Sequence, residues 1–258
     1  MIERNINRPK GHKNDIKMKR LRTLTIFCVF FGVFCISSAF AGPFGIDKGM
    51  NISQVSKVCK TQPKHIRDDV YEITPLKTNN SFKTYYVRID PTYGVYWLKA
   101  IGKDIYTNGY GDELRGTFNG LVQSIQKTYG EETYKIDSLK QGSIWGAPKD
   151  FMYALQREDR TLCVMWTNDV DVIKSLIFSD LVEKISSIPE SEREKFLNDT
   201  ITLRKLMLDK ISGYNKLPED IHNIGVFAHA QSTSIGYVML EYNFSNTNDV
   251  KDKEDSVY

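Results

Sequence analysis

The chain has 258 residues, of which 41% are apolar, 26% charged and 12% aromatic. This length suits one large or two small domains, and the composition excludes a disordered chain, a collagen-like or coiled-coil rod and a protein with many membrane spans. The formal net charge is +3, and its distribution depends strongly on the first 41 residues.

The segment 1–41 has the order of a secretory signal. Residues 1–22 carry eight Lys/Arg against two acidic residues, an apolar run extends from Leu24 to Ile36, and Ala39-Phe40-Ala41 ends the segment. Two small residues around one larger residue fit the site that signal peptidase cleaves. We therefore expect cleavage after Ala41 and a periplasmic or secreted location.

Two alternatives stay open at this end of the chain. Residues 24–41 are close to the minimum length for a membrane span, so an uncleaved inner-membrane anchor is the alternative to secretion. Met18 offers a second translation start, which would leave residues 1–17 untranslated.

Removal of the signal changes the charge of the protein. Residues 42–258 hold 27 Lys/Arg and 30 Asp/Glu, a net charge of −3. A negative chain gives no support for nucleic-acid binding. Contact with a membrane is expected only through the signal segment, if it is uncleaved.

Cys59 and Cys163 are the two cysteines that follow the signal. In an oxidising compartment an even number of cysteines permits a disulfide, so a Cys59–Cys163 bridge is predicted. Two separately buried thiols are the alternative.

The first half of the mature chain predicts helix, hairpin and helix. Asn51 and Gln54 form the pattern of a capping box at the start of a short helix. Alternation at residues 85–90, a turn at residues 90–94 and a return over residues 95–105 predict a β-hairpin. From Asp112 the apolar spacing becomes helical up to Tyr129, and Gly130 is the expected C-cap.

The second half predicts further strands, a helical stretch and a closing hairpin. The predicted strands are Ser143–Trp145, Phe151–Arg157 and Thr161–Thr167, with a helix over Lys149–Gln156 as the open alternative to the second strand. A helix is predicted to enter at Pro189-Glu190 and to continue through Phe196, Thr200, Leu203, Met207 and Ile211 to Gly213. The closing hairpin is Asn223–Gln231 with Gly236–Phe244, and the residues from Ser245 onward are expected to be frayed.

These elements predict an α+β fold in which antiparallel hairpins carry helices on one face, because the βαβ rhythm of a parallel sheet is missing. The pattern also allows two related helix-plus-sheet units. The predicted divisions are a signal peptide (1–41), a first unit (42–135), a second unit (136–245) and a polar tail (246–258).

The opening of the mature chain carries a recognisable pattern, Ile46-x-x-Gly49-Met50-Asn51-x-x-Gln54-Val55. It resembles the opening of small bacterial envelope proteins, including the small lipoproteins of the outer-membrane β-barrel assembly machinery, and is similar to the β-lactamase-inhibitor-protein fold. Asn51 stands where those proteins have Ser or Thr, and the lipobox is missing. The resemblance implies a fold and a compartment and transfers no catalytic residue.

A second resemblance extends over most of the mature chain at scattered positions. The segment Phe118 to Gly130, then Trp145, Arg160 and Trp166, and the closing residues 236–244 are similar to a group of exported bacterial proteins of unassigned function. This resemblance implies export.

No motif predicts a catalytic, cofactor or metal site. His222 and His229 are an odd number of residues apart, so on one straight strand they would face opposite sides. A pairing of either with His65 cannot be read from the sequence. The segment Asn168–Asp171 has the alternating oxygens of a calcium loop but lacks its glycine and distant glutamate, which favours a solvated turn.

An aromatic cluster is the main candidate for binding. Its members are Tyr85, Tyr86, Tyr93, Tyr96, Trp97, Tyr106 and Tyr110. Exposed rings give large rigid contact areas with little loss of entropy, so Tyr86, Tyr96, Trp97 and Tyr106 are the predicted binding face. The alternative is that these rings only pack within strands.

The sequence as a whole favours an exported, non-enzymatic module that binds another envelope protein or a cell-wall component, without a cofactor. The alternative is an envelope hydrolase whose site is assembled from residues that are distant in sequence.

Overall fold

A nine-stranded antiparallel sheet organises the residues that the structure, a computed structural model, describes: 42–199, 201, 202, 204, 205 and 217–255. Its strands are β1 (Lys64–Arg67), β2 (Val70–Ile73), β3 (Phe82–Asp90), β4 (Gly94–Gly102), β5 (Ile105–Tyr106), β6 (Tyr134–Leu139), β7 (Arg160–Thr167), β8 (Ile221–Ala230) and β9 (Ile235–Phe244). The spatial order is β1-β2-β3-β4-β9-β8-β7-β6, and β5 pairs with β9. Two four-stranded meanders therefore meet at the central β4–β9 pair.

Helices precede both meanders and connect or follow their strands. They are α1 (Ile52–Lys57), α2 (Asp112–Tyr129), α3 (Phe151–Gln156), α4 (Val170–Ser187), α5 (Glu190–Asn198) and α6 (Thr247–Asp255). This arrangement confirms the predicted α+β class with antiparallel strands. The predicted units 42–135 and 136–245 share one sheet, and the boundary between them stays a prediction.

The hydrophobic core lies between one face of the sheet and helices α1, α2 and α3. Strand alternation directs Leu98, Leu240 and Val226 to this packed face. The buried stripe of α2 runs through Leu114, Phe118, Leu121, Val122 and Ile125. α3 adds Phe151 and Met152, both fully buried.

The opening motif is explained by local structure. Asn51 accepts a bond from the Gln54 amide and the Gln54 side chain accepts one from the Asn51 amide, which confirms the capping box. Just before it, the Gly49 amide donates to the Val95 carbonyl at 2.8 Å and the Val95 amide donates to Met50 at 2.9 Å. The motif therefore joins helix α1 to strand β4.

The region around residues 143–157 differs from the leading prediction. Residues Ser143–Trp145 are irregular and form no strand, and Phe151–Gln156 is the helix α3, so the helical alternative is the one confirmed. Residues 151, 152, 154 and 155 are buried, and this spacing forms one helical stripe, whereas a strand would bury alternate residues.

The predicted frayed tail instead contains α6. Asn246 and Thr247 are buried, and the Asn246 amide donates to the carbonyls of Tyr93 (2.9 Å) and Val95 (3.1 Å). The Thr247 hydroxyl donates to the Tyr96 carbonyl at 2.9 Å. These bonds attach the start of α6 to β4, which explains why the polar segment is ordered.

Two other predictions can be compared with the structure. α5 begins at Glu190, as the Pro189-Glu190 entry predicts, and its predicted continuation through Leu203 to Ile211 lies outside the described residues.

The predicted signal peptide and the alternative anchor over residues 24–41 also lie outside the described residues. Within the described part of the chain, no helix has the length and apolarity needed to cross a bilayer.

Candidate functional site

The candidate site is the sheet face opposite helices α2 and α3. Three cross-strand rows define it, and we call them the open face. The first row is Val70, Arg88, Trp97, Asn243, Asn223 and Thr167. The second is Lys64, Glu72, Tyr86, Lys99, Glu241, Gly225, Met165 and Tyr134, and the third is Thr84, Ile101, Met239, Phe227, Cys163 and Ile136. Most of these side chains are half-buried.

An ion pair lies at the centre of the second row. Lys99 Nζ is 2.6 Å from Glu241 Oε1 and 5.0 Å from the centre of the Trp97 ring. The ammonium group therefore bridges a carboxylate and an aromatic face. This contact places a charged group over one face of the Trp97 ring.

The first row is polar and already hydrogen-bonded. The Asn243 amide donates to Asn223 Oδ1 at 2.6 Å, and Arg88 Nε donates to Asp69 Oδ1 at 2.9 Å. Trp97 lies between Arg88 and Asn243 in the strand register. A ring flanked by fixed amide and guanidinium groups offers both apolar and polar contacts.

The third row is mainly apolar, and its Phe227 ring lies beside Gly225 of the second row. A Cβ atom at Gly225 would lie 2.5 Å from the Phe227 ring and 2.9 Å from Met165 Sδ. The absence of a side chain at Gly225 therefore lets Phe227 and Met165 lie close to the backbone.

Three of the four predicted binding residues lie on the open face or its continuation. Tyr86 and Trp97 are half-buried in the first two rows, and Tyr106 is 73% exposed and pairs with Ile235 at one end of the face. Tyr96 differs from the prediction because it is only 4% exposed and its hydroxyl donates to Asp69 Oδ2. Tyr96 and Trp97 are neighbours in β4, so strict alternation does not place both rings on one face, and the strand register also shifts between Arg88 and Ile89, opposite Tyr96.

The predicted disulfide is absent. Cys59 and Cys163 are free and buried. The backbone of Cys59 forms an isolated β-bridge with Pro75, just beyond β2. Cys163 is on β7, which lies five strands away from β2 in the sheet order. At about 4.8 Å per strand this separation is far beyond the roughly 7 Å Cα limit of a disulfide.

We expect both thiols to be unreactive in the folded protein. Burial raises the pKa of Cys59 and of Cys163, which disfavours the reactive thiolate. Ellman's reagent should therefore label neither thiol of the folded chain Gly42–Tyr258 and both after unfolding without a reductant. Rapid labelling of either cysteine in the native state would contradict this.

Three of the four histidines belong to the described residues, and these three lie apart. His65 is exposed on β1, where Nε2 is 2.8 Å from the Asp68 carbonyl oxygen. His222 Nε2 is 3.8 Å from Asp169 Oδ2. His229 stacks on Tyr237 at 5.2 Å, and its Nε2 atom is buried without a hydrogen-bond partner. No group of three metal-ligating side chains occurs in the described part of the chain.

The half-buried His229 makes the stability of the folded protein depend on pH. Desolvation lowers its pKa below 6.5, Lys99 lowers it further, and Glu241 and Glu158 oppose both effects. Because the folded pKa is the lower one, the unfolded state binds more protons as pH falls below about 6.5. This part of the stability is complete above that pH and is lost progressively as pH falls through the folded pKa.

We expect His229→Asn to flatten the pH dependence of the unfolding free energy between pH 7 and 5, in urea titrations at each pH. The mutation of the exposed His65 to Asn is the matched control and should leave the slope unchanged. Equal slopes for wild type and His229→Asn would rule out this account of His229.

The segment Asn168–Asp171 starts a helix. The Asp169 side chain accepts bonds from the amides of Asp171 (2.9 Å) and Val172 (3.2 Å), so it is the N-cap of α4. An open cleft of about 420 Å³ lies beside it, lined by Tyr134, Asp169, Asp171, Val172, Ser175, Leu176 and Ser179. The local bonds of Asp169 explain the acidic pattern without a metal ion.

The sequence prediction missed the contribution of the second hairpin to this face. Met239, Glu241 and Asn243 alternate along β9 with the buried residues Val238, Leu240, Tyr242 and Phe244. The same alternation, followed on its other side, would have identified them.

Comparisons with protein-family models, with curated proteins and with solved structures gave no match.

Proposed function

We propose that the chain is an exported, non-enzymatic protein that binds another envelope protein or a cell-wall component through the open face. The observation that carries this proposal is the composition of that face. It presents the Trp97 ring, the Tyr86 ring and the Lys99–Glu241 ion pair as half-buried groups on a rigid sheet. Aromatic anchors carry much of the binding energy at protein recognition sites, and complementary charges add specificity and speed association.

Export is supported by the pattern of residues 1–41 and by the division of the chain between residues 41 and 42. The compact unit Gly42–Tyr258 begins at the residue that follows the predicted cleavage point. N-terminal sequencing of the protein recovered from the envelope fraction tests this step. A chain beginning at Gly42 would support it, and one beginning at Met1 or Met18 would contradict it.

The hydrolase alternative has weaker support. It requires a nucleophile beside a base, and both thiols are buried with raised pKa values. The closest approach of a histidine to a carboxylate among the described ion pairs is 3.8 Å, between His222 and Asp169. In the described structure Asp169 is engaged as a helix cap.

Capture from an envelope extract tests the binding proposal. Immobilised Gly42–Tyr258 is compared with the double variant Tyr86→Ala/Trp97→Ala, and bound components are identified by mass spectrometry. We expect the double variant to lose most of the captured material while its thermal midpoint stays within a few degrees of wild type, because half-buried rings contribute less to stability than core rings. Tyr110→Ala is the matched control, since Tyr110 is 50% exposed and lies outside the open face.

Two results would count against the proposal. Capture that is unchanged in the double variant would place binding elsewhere on the protein. Capture that falls only in proportion to the thermal midpoint, and equally in Tyr110→Ala, would show that the rings have a structural role alone.

A further inference from the structure

The two edges of the sheet differ in their ability to accept another strand. β1 has four residues, its register shifts between His65 and Arg67, and cationic side chains stand at both ends. Bulges and charges of this kind prevent pairing with another chain. β6 has six residues in an unbroken register with β7, and no strand of the described chain pairs with its outer side.

The register shows which backbone groups of β6 point outward. The Lys140 amide donates to the Asp159 carbonyl at 2.7 Å, and this pair continues the β6–β7 register. In an antiparallel ladder, alternate residues bond to the same neighbour. Even-numbered residues of β6 therefore bond to β7, and Lys135, Asp137 and Leu139 direct their N–H and C=O groups away from the sheet.

We infer that β6 pairs with β6 of a second copy of this chain, antiparallel and about a two-fold axis through Ile136. Lys135 then lies directly opposite the partner's Asp137, and Asp137 opposite the partner's Lys135. Both members of each pair have outward-facing backbone groups, so each pair exchanges two hydrogen bonds. Because β6 carries both charges at positions that face each other in an antiparallel β6–β6 pair, a second copy of this chain is the strand that fits this edge.

Several registers of the β6–β6 pair have two-fold symmetry, and the charges of Lys135 and Asp137 favour the one with its axis through Ile136. An axis through Asp137 would place two aspartates opposite each other, and an axis through Lys135 would do the same with two lysines. Directly opposed like charges destabilise strand pairs, and opposite charges stabilise them. An axis through Ser138 would set Asp137 against the partner's Leu139 and would leave the charges unmatched.

The pairing extends contacts that are already present. Asp137 accepts bonds from Arg160 Nε at 2.8 Å and Nη2 at 2.6 Å. The partner's Lys135 adds a second cation to this carboxylate. The combined sheet presents both open faces on the same side, because residues opposite each other in an antiparallel pair share a face. A dimer would therefore bind a repetitive envelope surface with two sites.

Complementation between two charge reversals tests the inference. Masses of Gly42–Tyr258, which forms one compact unit, are measured by light scattering across a dilution series. We expect a concentration-dependent dimer for wild type, and self-association at least about tenfold weaker for Lys135→Glu and for Asp137→Lys, since each variant opposes like charges twice. An equimolar mixture of the two variants should recover the dimer, because both cross-strand pairs become attractive again.

Three further variants separate pairing from other effects. Lys127→Glu, an exposed charge reversal on α2, should leave the dimer unchanged. Lys135→Pro removes one outward N–H without touching the Arg160–Asp137 pair, and should give a folded monomer even where Asp137→Lys loses stability. Trp97→Ala should dimerise like wild type, which keeps this test independent of the open face.

A wild-type chain that is monomeric at every concentration would overturn the inference. So would a dimer that persists in Lys135→Glu and Lys135→Pro. If the single variants are monomeric and their mixture also stays monomeric, the proposed register is wrong.

Discussion

Gly94→Ala should unfold the protein at a markedly lower urea concentration than wild type, with a loss of about 4 kcal/mol or more. Gly94 has a φ of +69°, and a Cβ atom there would lie 2.1 Å from the Gly49 carbonyl oxygen. The conformational cost of a side chain at positive φ is about 1–2 kcal/mol. The clash adds to this cost because both partners are backbone, and it acts where the opening motif joins β4.

Gly142→Ala separates the two contributions. Gly142 has a φ of +82° with no atom within 4 Å of the added Cβ. This variant should show only the conformational cost, about 1–2 kcal/mol. Equal losses for the two variants in urea titrations would show that the approach of Gly49 to β4 is not tight.

The second large effect is expected for Trp166→Ala, at about 3–5 kcal/mol. Trp166 is 1% exposed on the packed face, and its indole N–H donates to the Gly130 carbonyl at 2.9 Å. The truncation leaves a large cavity and an unpaired carbonyl at the C-cap of α2. Chemical unfolding measures the loss.

Trp97→Ala is the matched substitution on the opposite face. Trp97 is half-buried and contacts Lys99, so its removal should cost about 1 kcal/mol. A loss for Trp97→Ala as large as that for Trp166→Ala would mean that the open face is covered as completely as the core.

Long elements with a strong burial pattern could be predicted from the sequence. The alternation of β3, β4, β8 and β9 reflects one packed and one half-buried face, and the spacing of α2 reflects one buried stripe. In both cases burial follows the period of the backbone.

Short elements could not be predicted with the same method. β1 is exposed at all four residues and β6 is nowhere fully buried, so neither strand has a hydrophobic alternation to detect. α3 spans six residues, a length at which helical and strand patterns overlap.

The remaining differences depend on contacts between distant parts of the chain. α6 is attached by Asn246 and Thr247 to backbone carbonyls about 150 residues earlier. The separation of Cys59 from Cys163 follows from the strand order, which no local pattern contains. Trp97 and Tyr86 could be selected as candidates because alternation places them on the side opposite the core, and the same alternation does not place Tyr96, the neighbour of Trp97, on that side.

Site-specific photo-crosslinking in living cells tests the central claim most directly. Benzoylphenylalanine is placed at Tyr86, at Trp97 or at Tyr110 of the full-length chain, and adducts are detected in the envelope fraction after irradiation. We expect a defined adduct of higher mass from positions 86 and 97 and none from position 110. Adducts from position 110 alone, or no adduct from either open-face position in a correctly exported chain, would contradict the assignment of the open face as the binding surface.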